Sequence, residues 1–118
     1  MNAPEPVEPL DNYELQDRYL REEGRVFLTG TQALVRLPLV QRHLDRLAGL
    51  NTAGFISGYR GSPLGGYDQE LWRARQFMED NQVEFLPAIN EDLAATAVLG
   101  TQQVETAADR EVEGVFSI

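Results

Sequence analysis

The order of structural elements along the chain predicts an α/β fold built on a partial, doubly wound parallel sheet. Helical patterns separate four short strand-like segments, an alternation that places helices on both faces of a parallel sheet. The segments lie at 25–29, 53–58, 83–86 and 114–118. We interpret residues 1–12 as a flexible, proline-containing tail and residues 13–118 as a single unit that opens with a short surface helix or arm.

The first long helix is predicted to begin at an N-cap, Thr31, and to run to about Ala48. Its large apolar residues recur at alternating steps of four and three, which is typical of one face of a helix. Pro38 lacks a backbone N–H and predicts a kink or a break near Leu37. The residues on the predicted face are Ala33, Leu37, Val40, Leu44 and Leu47.

Two further helices follow. The first is expected over 67–80, burying Leu71, Trp72, Met78 and the stem of Arg75. The second is expected to begin at the N-cap Asn90 and to continue to Val104.

The composition excludes several classes of protein. Ten Lys and Arg against 19 Asp and Glu give a net charge of −9, whereas a nucleic-acid binder needs clustered cations. The chain has no cysteine, so an iron–sulfur cluster would have to lie elsewhere. No apolar run approaches the roughly 20 residues that cross a bilayer, so we expect a cytoplasmic protein without membrane contact.

A glycine-rich loop over 58–66 follows a predicted strand and precedes a helix, the position where open α/β sheets bind ligands. It matches neither a phosphate-binding P-loop nor a dinucleotide motif, and an ordinary turn is the alternative. Ser62 lacks the context of a hydrolase nucleophile. His43, the single histidine, lies among charged residues on a helix, where a solvated position is expected.

A second group of candidate residues begins at Glu91 and Asp92, at the start of the third long helix. We expect this helix start and the glycine-rich loop to lie at the same edge of the parallel sheet. Acids in a first helical turn commonly serve the helix dipole, and that alternative stays open. The small residues that follow would let a backbone, a subunit or a flat ligand approach closely. No metal-ligand spacing is present, and we predict no metal site.

Three segments, 24–39, 51–68 and 90–103, together resemble the indolepyruvate ferredoxin oxidoreductase family. The first contains Gly-Arg-Val-Phe-Leu-Thr-Gly-Thr-Gln, the second Gly-Tyr-Arg-Gly-Ser-Pro-Leu-Gly-Gly-Tyr-Asp, and the third Asn-Glu-Asp-Leu-Ala-Ala-Thr-Ala. The resemblance implies that residues 13–118 form the start of a thiamine-diphosphate pyrimidine-binding domain, truncated before its end.

The resemblance also implies roles for individual residues. Glu91 matches the catalytic glutamate that hydrogen-bonds N1′ of the cofactor's aminopyrimidine ring. Ser62, with its neighbours Tyr59 and Arg60, matches the segment beside the substrate 2-oxoacid. The expected activity is oxidative decarboxylation of an aryl 2-oxoacid such as indolepyruvate; nothing in these residues selects the substrate side chain.

In such enzymes electrons leave through iron–sulfur clusters to ferredoxin, and coenzyme A accepts the acyl group. Magnesium, the cofactor's diphosphate and the clusters are expected to bind in regions outside this chain, so we predict that the isolated chain is inactive without its remaining domains or subunits. The alternative is a non-catalytic α/β interaction module, or a split-gene remnant, that pairs with a partner chain.

Overall fold

The structure is a computed structural model that describes residues 10–118. Residues 1–9 of the predicted tail lie outside the described residues. The described helices are α1 (Asp17–Leu20), α2 (Gly30–Leu47), α3 (Tyr67–Arg73), α4 (Arg75–Asp80) and α5 (Glu91–Thr101). The strands are β1 (Thr52–Ile56), β2 (Val83–Phe85) and β3 (Gly114–Ser117).

The three strands form one parallel sheet in the order β2-β1-β3, which confirms the α/β class. The strand predicted over 25–29 was wrong. The backbone N–H and C=O of Phe27 both pair with the hydroxyl of Tyr13, at 3.0 Å each. A side chain therefore takes the hydrogen bonds that a neighbouring strand would have satisfied.

One face of the sheet carries the hydrophobic core. Ile56 of β1 and Val83 of β2 are buried there against helices α2, α3 and α4. Gly54 makes room for Phe116 of β3, since a Cβ at that position would lie 2.6 Å from the phenylalanine ring. The buried helix residues of this core are Val35, Leu39, Leu71, Ala74 and Met78.

Helix α5 contacts the opposite face through polar groups near its end. Side chains alternate along a strand, so Ser117 points away from the face that holds Phe116. The hydroxyl groups of Thr101 and Ser117 lie 3.0 Å apart. Gln102 donates to the Ser117 hydroxyl and to the backbone C=O of Val115. These polar contacts attach the end of α5 to β3.

Helix α2 begins two residues earlier than the sequence predicted. Its N-cap is Thr29, whose hydroxyl accepts from the backbone N–H of Gln32 at 3.2 Å, while the Gln32 side chain accepts from the backbone N–H of Thr29 at 3.0 Å. This reciprocal capping box satisfies two N–H groups, whereas the predicted cap Thr31 lies inside the helix.

Pro38 does not break α2, which is a single helix of 18 residues. A proline at this position leaves the C=O of Leu34 without its partner four residues later. The hydroxyl of Tyr67 donates to that C=O at 3.2 Å and so replaces the missing bond. Burial raises the pKa of Tyr67 to about 12. The neutral phenol is therefore the form that caps the carbonyl group.

The apolar face predicted from the four-three spacing is not the face of α2 that contacts the core. Val35, Pro38 and Leu39 face the core, together with the guanidinium of Arg42, which donates to Leu50 and Asn51. The predicted face lies on the other side of α2, and three of its leucines are more than half exposed: Leu37, Leu44 and Leu47. Helix α2 therefore has apolar residues on two sides.

The remaining helices follow the prediction in part. The single helix expected over 67–80 is interrupted at Ala74, which separates α3 from α4. Leu71 and Met78 are buried as predicted. Trp72 is 48% exposed, contrary to the prediction, and the exposed guanidinium of Arg75 lies 6.0 Å from its ring.

The predicted N-cap of α5 is confirmed, because the side chain of Asn90 accepts from the backbone N–H of Leu93 at 2.9 Å. The helix ends at Thr101, before the predicted limit at Val104, where a separate 3-10 turn begins. Within residues 10–118, no helix is both long enough and apolar enough to cross a membrane.

Candidate functional site

The loops after β1 and β2 are joined at the carboxyl edge of the sheet. The backbone N–H of Leu86 donates to Ile56 at 3.0 Å, and that of Ala88 donates to Gly58 at 2.7 Å. The hydroxyl of Ser57 donates to the C=O of Leu86 at 2.9 Å. These hydrogen bonds extend the pairing of the two strands beyond the sheet and hold the two loops side by side.

Tyr59 and Glu91 meet directly at this edge. The phenolic hydroxyl of Tyr59 donates to Oε1 of Glu91 at 2.5 Å. The contact confirms the prediction that the glycine-rich loop and the start of α5 share one edge. It also brings together two candidate residues that are 32 positions apart in the sequence.

The Tyr59–Glu91 hydrogen bond changes the acidity of both partners. It is the main cause that lowers the pKa of Glu91, followed by the residue's own backbone N–H. The same bond, more than the slight burial, raises the pKa of Tyr59. At neutral pH the pair is therefore a neutral phenol that donates to an ionised carboxylate. Glu91 is exposed and open to a ligand at this edge.

Ser62 and Tyr59 line a cavity of about 160 Å³ next to the end of β1. Its walls are mainly aromatic and aliphatic, and the hydroxyl groups of the two serines, Ser57 and Ser62, are among its few polar groups. The other lining side chains include Ile56, Leu64, Tyr67, Asp68, Phe85 and Ile118. An apolar cavity with a few polar groups is the usual form of a small-molecule site.

Arg60 does not contact Glu91 as its neighbour Tyr59 does, but pairs with Asp68. Its side chain is 84% exposed, and its Nε lies 3.6 Å from the carboxylate of Asp68 at the start of α3. The structure therefore brings Tyr59 and Glu91 into contact and places Ser62 in the adjoining cavity. Arg60 stays at the rim in an exposed ion pair, which contributes little to stability.

Sequence reasoning missed three polar residues of this region: Ser57, Tyr67 and Asp68. Ser57 could have been found, since it follows the buried strand directly. Asp68 lies in the first turn of α3, where an acid is expected because of the helix dipole. Since the dipole already explains an acid there, the sequence gives no separate sign of the contact with Arg60. Tyr67 carried no local signal, because its partner Leu34 is 33 residues away.

Several apolar side chains in the segments that form this edge are exposed. Ile89 is 83% exposed directly before the N-cap of α5. Four others that are at least two-fifths exposed lie nearby in sequence or at the cavity: Leu64, Leu86, Leu93 and Ile118. Exposed apolar groups that cluster around a polar centre mark a surface that binds a ligand or another chain.

His43 lies away from this edge, on α2 beside the segment that follows α1. Its Nδ1 is buried without a hydrogen bond of good geometry and is 3.2 Å from Oε1 of Glu22. The expected solvated position was therefore wrong, since only a quarter of the side chain is exposed. Across residues 10–118, no group of three or more His, Asp or Glu side chains is arranged to hold a metal ion.

Comparison with known proteins gave no relative: the chain matches no protein-family model, no curated protein and no solved structure.

Proposed function

We propose that this chain supplies the aminopyrimidine side of a thiamine-diphosphate site in an oxidoreductase that decarboxylates an aryl 2-oxoacid such as indolepyruvate. The observation that carries the proposal is the hydrogen bond from Tyr59 to Glu91 at the carboxyl edge of the sheet. It gives an exposed acid a fixed partner at the position where α/β sheets bind ligands. The reaction itself is inferred from the resemblance of three sequence segments to the indolepyruvate ferredoxin oxidoreductases.

The residues at the edge fit an aminopyrimidine ring chemically. The lowered pKa of Glu91 keeps its carboxylate ionised, and a carboxylate only accepts hydrogen bonds. Tyr59 takes Oε1, and each carboxylate oxygen has more than one lone pair, so a ring N–H can still bind. The apolar cavity beside Tyr59 provides a dry surface for a flat ring or an apolar side chain.

In the proposed reaction the carboxylate of Glu91 would hold a proton at N1′ of the aminopyrimidine ring, which would favour the imino form whose exocyclic nitrogen can act as a base. The bound cofactor supplies the carbon nucleophile and the electron sink for decarboxylation. Ser62 would donate a hydrogen bond to the substrate in the cavity. Arg60, a guanidinium that can bind a carboxylate in a bidentate manner, would attract the 2-oxoacid from the rim.

The proposed parent fold is the doubly wound pyrimidine-binding domain of a thiamine-diphosphate enzyme, of which residues 13–118 form the start. Magnesium, the diphosphate and the iron–sulfur clusters would then bind to the remaining domains or subunits, with ferredoxin and coenzyme A as partners of the whole enzyme. The isolated chain would show no activity by itself.

The test compares the 118-residue chain with the same chain co-expressed with the products of the adjoining reading frames. We expect no oxidation of indolepyruvate by the isolated chain with thiamine diphosphate, magnesium and an artificial electron acceptor, and turnover by the assembly. Glu91→Gln should slow that turnover by about a hundredfold or more, while Asp92→Asn, in the same helical turn, should keep it. Turnover by the isolated chain, or undiminished turnover by the Glu91→Gln assembly, would contradict the proposal.

A second candidate function, a non-catalytic interaction module, is favoured by the two-sided helix α2. A helix that carries a second apolar side away from the core has a surface that a partner chain could cover. The outward leucines Leu37, Leu44 and Leu47 are more than half exposed within residues 10–118. If Leu44→Glu abolished association with the co-expressed chains and Glu91→Gln left every measured activity intact, the interaction module would be the better account.

A further inference from the structure

The hydroxyl of Tyr59 and the carboxylate of Glu91 form a bridge between the loop after β1 and the start of α5. We propose that Tyr59 is a positioning residue for Glu91, which holds the carboxylate in one orientation at the sheet edge, and that it is not primarily a substrate contact. The consequence for catalysis rests on the proposed function. The claim about Glu91 itself can be tested on the 118-residue chain alone.

The first argument is geometric. Tyr59 directs its hydroxyl at Glu91 with an O–O distance of 2.5 Å, at the short end of the range for a hydroxyl that donates to a carboxylate. A glutamate in the first turn of a helix is otherwise free to rotate in solvent, and Glu91 is exposed. The phenol therefore provides a fixed partner for a side chain that the backbone alone would leave mobile.

The second argument concerns the rigidity of the support. Three hydrogen bonds hold the loops together next to Tyr59, two from backbone N–H groups and one from Ser57 to Leu86. The side chain of Asn90 fixes the first turn of α5 on the other side. Both ends of the bridge thus belong to ordered backbone, and this is the condition under which a positioning hydrogen bond restricts an acid.

The third argument comes from the surrounding charges. Asp92 is the adjacent acid, and its negative charge would raise rather than lower the pKa of Glu91. Arg60 belongs to the loop but faces Asp68 at 3.6 Å. Tyr59 and the backbone N–H of Glu91 account for the lowered pKa, with slight desolvation opposing them. Removal of the phenolic hydroxyl should therefore act directly on Glu91.

The test measures the titration of Glu91 by carboxyl carbon NMR in three chains: wild type, Tyr59→Phe and Tyr13→Phe. Tyr13→Phe is the matched control, because it also removes one phenolic hydroxyl, which bonds to the backbone of Phe27. We expect an upward shift of the Glu91 midpoint and averaging of its side-chain couplings in Tyr59→Phe alone. An unchanged midpoint in Tyr59→Phe, or an equal shift in Tyr13→Phe, would overturn the inference.

A second measurement separates this inference from the proposed function. In the assembled enzyme, Tyr59→Phe should lower kcat at saturating 2-oxoacid, whereas loss of a substrate contact would mainly raise KM. A raised KM with normal kcat and an unshifted Glu91 titration would overturn the positioning role while leaving the cofactor site in place. A shifted titration with activity that does not depend on Glu91 would instead support the positioning role and refute the proposed function.

Discussion

The helix-covered face of the sheet and its carboxyl edge differ in how their residues are held. On the covered face, Ile56, Val83 and Leu71 are buried and held by apolar packing. At the edge, Tyr59 and Glu91 are joined by a hydrogen bond in contact with solvent. The first region therefore determines stability, and the second is free to carry chemistry without a large cost to folding.

The largest expected effect belongs to the covered face. Leu71→Ala should destabilise the chain by about 2–5 kcal/mol, because a fully buried leucine leaves a cavity between α3 and the sheet. Denaturant unfolding followed by circular dichroism measures the change. Leu99→Ala, at a position that is 61% exposed on α5, is the control and should cost far less. Equal losses of unfolding free energy would mean that the buried position on the covered face contributes no more to stability than the exposed one.

A second prediction tests the close contact between β1 and β3. Gly54→Ala should cost about 1–3 kcal/mol, since the new Cβ would lie 2.6 Å from the ring of Phe116 and force the core to shift. Gly58→Ala is the matched control at the edge, where a Cβ meets no atom within 4 Å. If Gly54→Ala left the free energy of unfolding unchanged, the contact between Gly54 and Phe116 would not be tightly packed.

The third prediction concerns the carbonyl of Leu34 that Pro38 leaves without a helical partner. Tyr67→Phe should destabilise the chain by about 1 kcal/mol, the usual net contribution of one hydrogen bond, because this bond is only partly buried. In a Pro38→Ala background the alanine N–H can bond to Leu34, so the same change should cost less. If Tyr67→Phe cost as much unfolding free energy in the Pro38→Ala background as in wild type, the Tyr67 hydroxyl would not be replacing the hydrogen bond that Pro38 removes.

A further effect is expected at high pH. The folded-state pKa of Tyr67 is raised to about 12, above the ordinary value of 10.0, so the folded chain binds the phenolic proton more tightly. This stabilisation is complete below pH 10 and is lost as the pH rises through about 12. The thermal unfolding midpoint should fall less between pH 9 and pH 12 in Tyr67→Phe than in wild type. If the midpoints of both chains fell equally with pH, the titration of Tyr67 would be excluded as the cause of the loss of stability.

Local signals in the sequence predicted the elements that depend on neighbouring residues. Asn90 was correctly predicted as the N-cap of α5, because an N-cap needs only a short polar side chain and the next helical turn. The strands at β1, β2 and β3 were found from short apolar runs. The shared edge of Tyr59 and Glu91 followed from the parallel order of the strands.

Features that depend on distant contacts could not be predicted. The 4–3 spacing on α2 identified an apolar face correctly but not which side contacts the core, because Val35 and Leu39 form a second apolar side. The unbroken helix at Pro38 depends on Tyr67, which is far away in sequence. The hydrogen bond from the Tyr59 hydroxyl to Glu91 was not predicted either, because the sequence does not show where a loop side chain points.

The most direct test of the proposed site is hydrogen–deuterium exchange at carbon C2 of thiamine diphosphate in the assembled enzyme, with wild-type chain and with Glu91→Gln. We expect the variant to slow exchange by about a hundredfold or more, the usual scale for a positioned acid–base group. The thermal midpoint should hardly change, because Glu91 is exposed and an amide occupies the same volume. Unchanged exchange with a lowered midpoint would mean that Glu91 serves only the start of α5, and would contradict the catalytic assignment.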